Sequence, residues 1–265
     1  MCTLVALHRS VPGLPLVIAA NRDEFFDRPS DGPALRPTPY GTVLAPKDLR
    51  EGGTWLGLNK HGVFAALTNR RCEDPDRNRR SRGLLVMDAL VAASAKEAVI
   101  GIESLIKEKN GAYNPFNLLI ADGHQAFAIS YADRPQTIEL APGAHVIGNV
   151  GFDEPSDKLD RLRGLVDRAR RSEPDRILDS LAQVCRDHDG ESVDAACVHT
   201  AEYGTRSSIL FQLHENGLGR DSASELRYAK GAPCREPFLD FTPLLREMDR
   251  KARIVEGESI VRSVR

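Results

Sequence analysis

The amino-acid sequence predicts an α+β fold built on antiparallel sheets, and three observations carry that expectation. Strand-like apolar runs and helical periodicities follow one another in blocks (strands, helices, strands, helices, strands), where a parallel Rossmann sheet would alternate them one for one. Turn chemistry at Pro12-Gly13, Asn59-Lys60-His61-Gly62 and Asp122-Gly123 joins neighbouring strands as hairpins. No internal repeat, low-complexity tract or linker divides the 265 residues, so residues 1–265 read as a single domain.

Thr3–His8 and Leu14–Asn21 form an N-terminal hairpin about Arg9–Gly13. A Pro- and Gly-rich loop follows over Arg28–Pro39, then a short strand at Thr42–Ala45 and a second hairpin of Thr54–Leu58 with Gly62–Leu67. From Leu84 to Lys109 the apolar spacing becomes helical, with a hinge near Ser94 that divides it into two helices. Asn117–Ala121 and Ala126–Tyr131 are strands, and Thr137–Leu140 and His145–Gly148 continue the β run. Helical periodicity returns over Lys158–Ala169 and Asp175–Cys185, ahead of strands near Ala196–His199 and Ser207–Leu213. From Pro237 onward, Phe238, Phe241, Leu244 and Leu245 mark an appended packing helix.

The composition narrows the class of function. Hydrophobic residues at 41% and charged residues at 28% describe an ordinary globular chain. A net charge of −2 supplies no broad positive field, which argues against nucleic acid as a partner. The five cysteines (Cys2, Cys72, Cys185, Cys197, Cys234) are widely spaced without a Cys-x-x-Cys pair, which suits a reducing compartment. The apolar runs at 4–7 and 14–20 are too short for a membrane span, so a cytoplasmic protein without a membrane helix is expected.

Three stretches carry chemistry. Removal of Met1 would leave Cys2 with a thiol and a free α-amine on one residue, a nucleophile beside its own general base. That amine, with a pKa of roughly 7.7–8.0, is substantially neutral near physiological pH. The plainer reading of Cys2 is a small buried residue of the first strand. Asn21-Arg22-Asp23-Glu24 closes the second strand of the same hairpin, and four polar residues there suit a site rim better than a core. By alternation Asn21 and Asp23 share one face and Arg22 and Glu24 the other, which puts a carboxylate in reach of the new amine or leaves a simple Arg22–Glu24 pair. Asn69 ends another hairpin strand, where its carboxamide can donate to an oxyanion, a contact worth about 2.7–4 kcal/mol, or can simply cap a turn.

Taken together, Cys2-Thr3, Asn21-Arg-Asp-Glu24, Gly52-Gly-Thr-Trp-Leu-Gly57, Thr68-Asn-Arg-Arg71 and Ser81-Arg-Gly83 resemble the NRDE family, whose eukaryotic members are the Transport and Golgi organisation 2 proteins, up to about residue 215. The layout is also similar to N-terminal-nucleophile hydrolases of the choloylglycine hydrolase and penicillin V acylase type. That likeness implies a four-layer αββα sandwich of two antiparallel sheets, with Cys2 as nucleophile and Asp23 beside it. It further implies Asn69 as oxyanion donor after the turn Gly57-Leu-Asn-Lys-His-Gly62, Asn149 as a second site asparagine, and Arg206 from Gly204-Thr-Arg-Ser-Ser208. In those hydrolases an arginine directly precedes the strand-end asparagine. Here Ala20 precedes it and Arg22 follows, and Arg22 is expected to face the wrong way to replace that group.

Asn21, Arg22, Trp55 and Arg70 complete the site as substrate-binding candidates. Arg70 belongs to a cluster with Arg71, Arg77, Arg79, Arg80 and Arg82 that could hold a carboxylate or phosphate, or lie solvated among Glu73, Asp74 and Asp76. Cys185-x-x-His188 and Cys197-x-His199 have zinc-ligand chemistry but read as core residues of a helix end and a strand, and no metal or cofactor is expected. Cys2 and His8 offer haem axial ligands without an attachment signature. Two functions follow: an amidase or thioesterase working through Cys2, or a carrier that binds haem, acyl-CoA or lipid in the same cleft. Both take a small acyl-containing or hydrophobic ligand.

Overall fold

The computed structural model describes residues 2–109, 111–190, 192–219 and 222–263, the side chains at 192 and 253–263 excepted. In chain order the elements are β1 (Cys2–Val11), β2 (Leu14–Phe25), β3 (Ser30–Thr38), β4 (Gly41–Asp48), β5 (Leu56–Asn59), β6 (Phe64–Asn69), α1 (Gly83–Ala89), α2 (Ala95–Glu108), β7 (Phe116–Ala121), β8 (Ala126–Tyr131), β9 (Pro135–Glu139) and β10 (Gly143–Ile147). They continue as α3 (Asp157–Ala169), α4 (Ile177–Cys185), β11 (Tyr203–Leu213), β12 (Glu225–Ala229), β13 (Leu239–Asp240) and α5 (Thr242–Ser263).

The strands make two antiparallel sheets, one ordered β10-β1-β2-β11-β12-β13 and the other β3-β4-β5-β6-β7-β8-β9. Period-two alternation explains how they stack. Leu4, Ala6, Leu16, Ile18 and Ala20 point into the space between the sheets, against Phe64, Ala66, Leu119 and Phe211. Their neighbours Val5, Leu7, Val17 and Ala19 point outward and are covered by Leu162, Val166, Leu178 and Leu181 of α3 and α4. On the other sheet Val43, Ala65, Leu118 and Ile120 are covered by Val86 of α1 and by Val99 and Ile102 of α2. The result is the four-layer αββα sandwich. The hinge near Ser94 is a helix cap: Ser94 Oγ accepts from Glu97 N at 3.2 Å, and Glu97 Oε2 accepts from the N–H of Ala93, one residue ahead of the cap, at 3.0 Å.

Four expectations need correction. The stretch Arg28–Pro39 holds a strand, β3, because it lies at a sheet edge where a proline removes no required donor, and a register shift between Asp31 and Ala34 absorbs Pro33. The strand expected over Leu14–Asn21 runs on to Phe25 and takes in Asn21–Glu24, because β11 pairs along it from Tyr203↔Phe25 to Leu213↔Leu16. Ala196–His199 forms only the single bridge His199↔Gly204. The tail helix begins at Thr242, whose N–H is capped by Asp240 Oδ1 at 2.8 Å, after two strands that the apolar pattern did not announce, β12 and β13. α5 still packs as expected, burying Leu245 in the core between the sheets. Among the described residues no helix is long and apolar enough to cross a membrane.

The paired glycine motifs have a packing cause. Thr54 N donates to Gly83 O at 3.1 Å, and a Cβ on Gly53 would meet the Gly83 carbonyl carbon at 2.5 Å. Two backbones touch where Gly52-Gly53-Thr54 crosses Ser81-Arg82-Gly83, both of which border the cleft described below. Gly53→Ala is therefore expected to lower stability by about 1–3 kcal/mol in urea unfolding, whereas Gly101→Ala, on an open face of α2, should not lower it.

Candidate active site

β2 lies between β1 and β11 at the middle of its sheet, so Asn21, Arg22 and Asp23 are buried and Glu24 is partly exposed. The register sets Cys2 directly opposite Arg22 and Thr3 opposite Asn21. Cross-strand partners share a face, so Arg22 stands beside Cys2 in the space between the sheets. This corrects the expectation that Arg22 turns away: Ala20 and Arg22 are two residues apart, and a period of two returns the side chain to the same side. Arg22 is 4% exposed, its guanidinium carbon lies 4.4 Å from the centre of the Trp55 ring, and Nη2 is 3.9 Å from Glu24 Oε2. Among the described residues Arg22 Nη1 has no hydrogen-bond partner. Burial lowers the Arg22 pKa, opposed by Cys2 and Glu24.

Asp23 falls on the opposite face. Thr205 Oγ1 donates to its Oδ1 at 2.6 Å, and the Tyr203 hydroxyl donates to its carbonyl at 2.8 Å. Burial raises the carboxyl to about 6, against the pull of nearby Lys158 and of the Thr205 hydroxyl. Cys2 is partly exposed at the cleft. Burial nonetheless pushes its thiol up; the charge of Asp23 adds to this, and that of Arg22 opposes it.

Cys2, Arg22, Asp23, Trp55 and Asn69 all line one cleft of about 1070 Å³. Arg28 closes one wall through Asp48 Oδ2 at 2.5 Å and approaches Glu24 at 3.8 Å. Arg79 and Arg80, also in the lining, are engaged by Asp76 and Asp88. Arg77 and Arg82 line the cleft with no carboxylate partner among the described residues. Arg82 is half-buried, donates to Pro115 O at 2.9 Å, and has its pKa lowered by burial. The lining also holds Glu24, Asp27, Glu51 and Glu202, so Arg77 and Arg82 are the guanidiniums left to meet an entering anion.

Other expected site residues stand elsewhere. Asn21 is 2% exposed and spends both amide hydrogens on the carbonyls of Cys185 and Ala196, each at 2.8 Å, so it fastens β2 to the end of α4 and binds nothing in the cleft. Arg70 is also turned away, donating to Ser130 Oγ at 3.1 Å and pairing with Glu154. Asn149 does not line the cleft; its Nδ2 donates to the Asn69 carbonyl at 2.5 Å, and Asn117 and Thr68 hold the same loop through Gly148 O. Arg206 sits in the bulge between Thr205 and Ser207, its guanidinium 5.7 Å from the centre of the Phe26 ring, which itself lines the cleft. His8 is buried six residues along β1 from Cys2, outside the lining. Sequence reasoning missed Thr205 and Lys158. Thr205 was legible in part, since it adjoins Arg206, but Lys158 lay hidden in a helical repeat.

Residues 1–221 match the family model described as Transport and Golgi organisation 2. The chain belongs to that family. It is 31% identical over 236 residues to the Transport and Golgi organization protein 2 homolog of Homo sapiens, and 30% identical over 236 residues to that of Bos taurus. Each match covers 76% of this chain and 83% of the relative. In fold, this Transport and Golgi organisation 2 chain resembles two solved structures. One is a Caenorhabditis elegans N-acylethanolamine-hydrolyzing acid amidase ortholog, with TM-score 0.57, 13% identity, and coverage of 84% of this chain and 95% of that one. The other is the mutant C2A of a Clostridium perfringens conjugated bile acid hydrolase, with TM-score 0.51, 14% identity and 94% of both chains covered. The sandwich is therefore that of N-terminal-nucleophile hydrolases, as the sequence layout implied.

Proposed function

We propose that this Transport and Golgi organisation 2 protein, once Met1 is removed, hydrolyses an acyl thioester or acyl amide through Cys2, with a preference for acyl compounds that carry an anionic group. The observation that carries this reading is the Cys2–Arg22 pair at a cleft whose lining also holds Asn69 and, without a carboxylate partner among the described residues, Arg77 and Arg82. The Cys2 thiol would pass its proton to the new α-amine, which Asp23 holds in position, while sulfur attacks the acyl carbon and the carbonyl electron pair moves onto oxygen. Asn69 and the Arg22 guanidinium would stabilise that oxyanion. Collapse expels the amine or thiol leaving group, which takes the proton back from the α-ammonium. Water then attacks the Cys2 thioester, releasing a carboxylic acid and restoring the thiol. Asn149 would serve as a positioning residue, through the Asn69 carbonyl.

The upward push on the Cys2 thiol is what favours the second reading, a carrier that holds a haem or acyl-CoA ligand in this cleft without turnover. A panel of acyl thioesters and amides, with and without a terminal carboxylate or phosphate, separates the two readings when the N-terminal peptide is followed by mass spectrometry. The expected result is a mature N-terminus at Cys2, an acyl adduct on that residue, and turnover that falls by roughly a thousandfold or more in Cys2→Ala. Binding without an adduct, unchanged in Cys2→Ala, would establish the carrier instead.

A further inference from the structure

Away from the cleft, the fold gathers four soft ligand atoms that the sequence scatters over nearly fifty residues. His188 follows α4, Cys197 and His199 precede β11, and Cys234 lies in the loop between β12 and β13. One ligand atom from each lies within 4.8 Å of every other. Sequence spacing suggests Cys185 as the partner of His188, but Cys185, the last residue of α4, is buried in the core, where burial pushes its thiol up to about 12, and Cys234 takes its place.

The separations have the size of a coordination polyhedron. Cys197 Sγ and Cys234 Sγ are 3.7 Å apart, Cys197 Sγ and His199 Nε2 3.6 Å, and His199 Nε2 and Cys234 Sγ 3.3 Å. Zinc bonds of about 2.3 Å to sulfur and about 2.0–2.1 Å to nitrogen in a tetrahedron require edges of about 3.8 Å between sulfurs and about 3.6 Å between sulfur and nitrogen. A disulfide would need the two sulfurs at about 2.05 Å, and both cysteines are free. The His188 and His199 rings lie 5.1 Å apart, and a ligand nitrogen of His188 lies within 4.8 Å of the other three ligand atoms, so a small turn of the His188 side chain completes the set.

The supporting backbone is already fixed. Cys197 N donates to Asp187 O at 2.9 Å, holding the Cys197 segment against the residue before His188. Arg186 Nε donates to Pro233 O at 2.9 Å, holding the Cys234 loop against the end of α4. Two thiols and two imidazoles, three of them already at tetrahedral spacing, select zinc over calcium or magnesium, which want oxygen ligands. We infer that His188, Cys197, His199 and Cys234 bind one structural zinc ion that pins the β12–β13 loop to the end of α4. Through the Val198 N–H, which donates to Thr205 Oγ1 at 2.9 Å, the same clamp buttresses the threonine that holds Asp23.

The test uses the full chain purified without a histidine tag under reducing conditions, with zinc measured by elemental mass spectrometry and apo protein titrated with Co²⁺. The expected result is one zinc per chain and, with Co²⁺, the thiolate charge-transfer band and intense visible bands of a tetrahedral site. Cys234→Ser, at an exposed position, should fold, lose the bound zinc and weaken Co²⁺ affinity by at least roughly a hundredfold. Chelation should lower the Tm of the parent chain and leave that of Cys234→Ser unchanged. Full zinc content in Cys234→Ser, a chain that takes up neither zinc nor Co²⁺, or a Cys197–Cys234 disulfide that persists under reduction would each overturn the inference. Loss of turnover in Cys2→Ala with zinc retained keeps this site separate from the proposed reaction.

Discussion

Asp23→Asn is expected to make the protein more stable at neutral pH by about 3 kcal/mol while removing its turnover. Asp23 is 3% exposed and its carboxyl titrates at about 6 in the folded chain that bears Met1, above the ordinary value of 3.8. Between those two values the native state holds a proton that the unfolded chain has released, so stability falls as pH rises through this window. Below about 4 both states are protonated and burial of the side chain costs little. Above about 6 the whole penalty is present, and the shift converts to about 3 kcal/mol. An asparagine keeps the Thr205 hydrogen bond and carries no charge to desolvate. Urea unfolding at pH 4 and pH 7.5 tests this, because the variant and the parent should coincide at the lower pH and separate at the higher one. Parallel pH profiles would mean that the carboxylate is well solvated. The stability gained marks a residue retained for something other than folding, and the proposed something is orientation of the Cys2 amine.

What the sequence makes legible is whatever depends on local pattern. The unbroken apolar runs Leu4–Leu7 and Leu14–Ala20 about Pro12-Gly13 reveal a hairpin, which the fold buries on both faces, and the change of apolar spacing near Ser94 places the break between α1 and α2. Residues whose role depends on a distant strand are harder to read. Asn21 looks like a site residue because it is polar and joined to Arg22 and Asp23. Only the fold brings the Cys185 and Ala196 carbonyls, 164 and 175 residues away in sequence, to absorb its amide. The prolines of β3 conceal a strand because local propensity cannot distinguish an edge from a loop. The face of Arg22, by contrast, was available from the sequence by counting two residues from Ala20. Cys234 had no such clue: it has no cysteine or histidine close in sequence, and only the loop after β12 brings it to Cys197 and His199.

Arg22→Met should lower kcat/KM by roughly a hundredfold or more, the scale seen when one donor to a developing oxyanion is removed, with little loss of stability. The two halves of this expectation have separate causes. The Arg22 cation is buried against Trp55 with only a 3.9 Å approach to Glu24, so the folded state keeps a desolvation cost that the ion pair weakly offsets. Methionine of similar length keeps the packing on Trp55, and Glu24 is not stranded because Arg28 lies 3.8 Å away. Stability should therefore change by no more than about 1 kcal/mol, in either direction. Turnover depends on the guanidinium itself, because its Nη1 has no hydrogen-bond partner among the described residues and stands on the face shared with Cys2. Arg22→Lys sharpens the comparison. It retains the charge and loses the planar stack, and should recover part of kcat with KM still raised for substrates bearing a carboxylate or phosphate. If Arg22→Met turns over normally and only melts lower, the guanidinium is a packing element over Trp55. Oxyanion stabilisation at Cys2 must then come from Asn69 and the backbone alone.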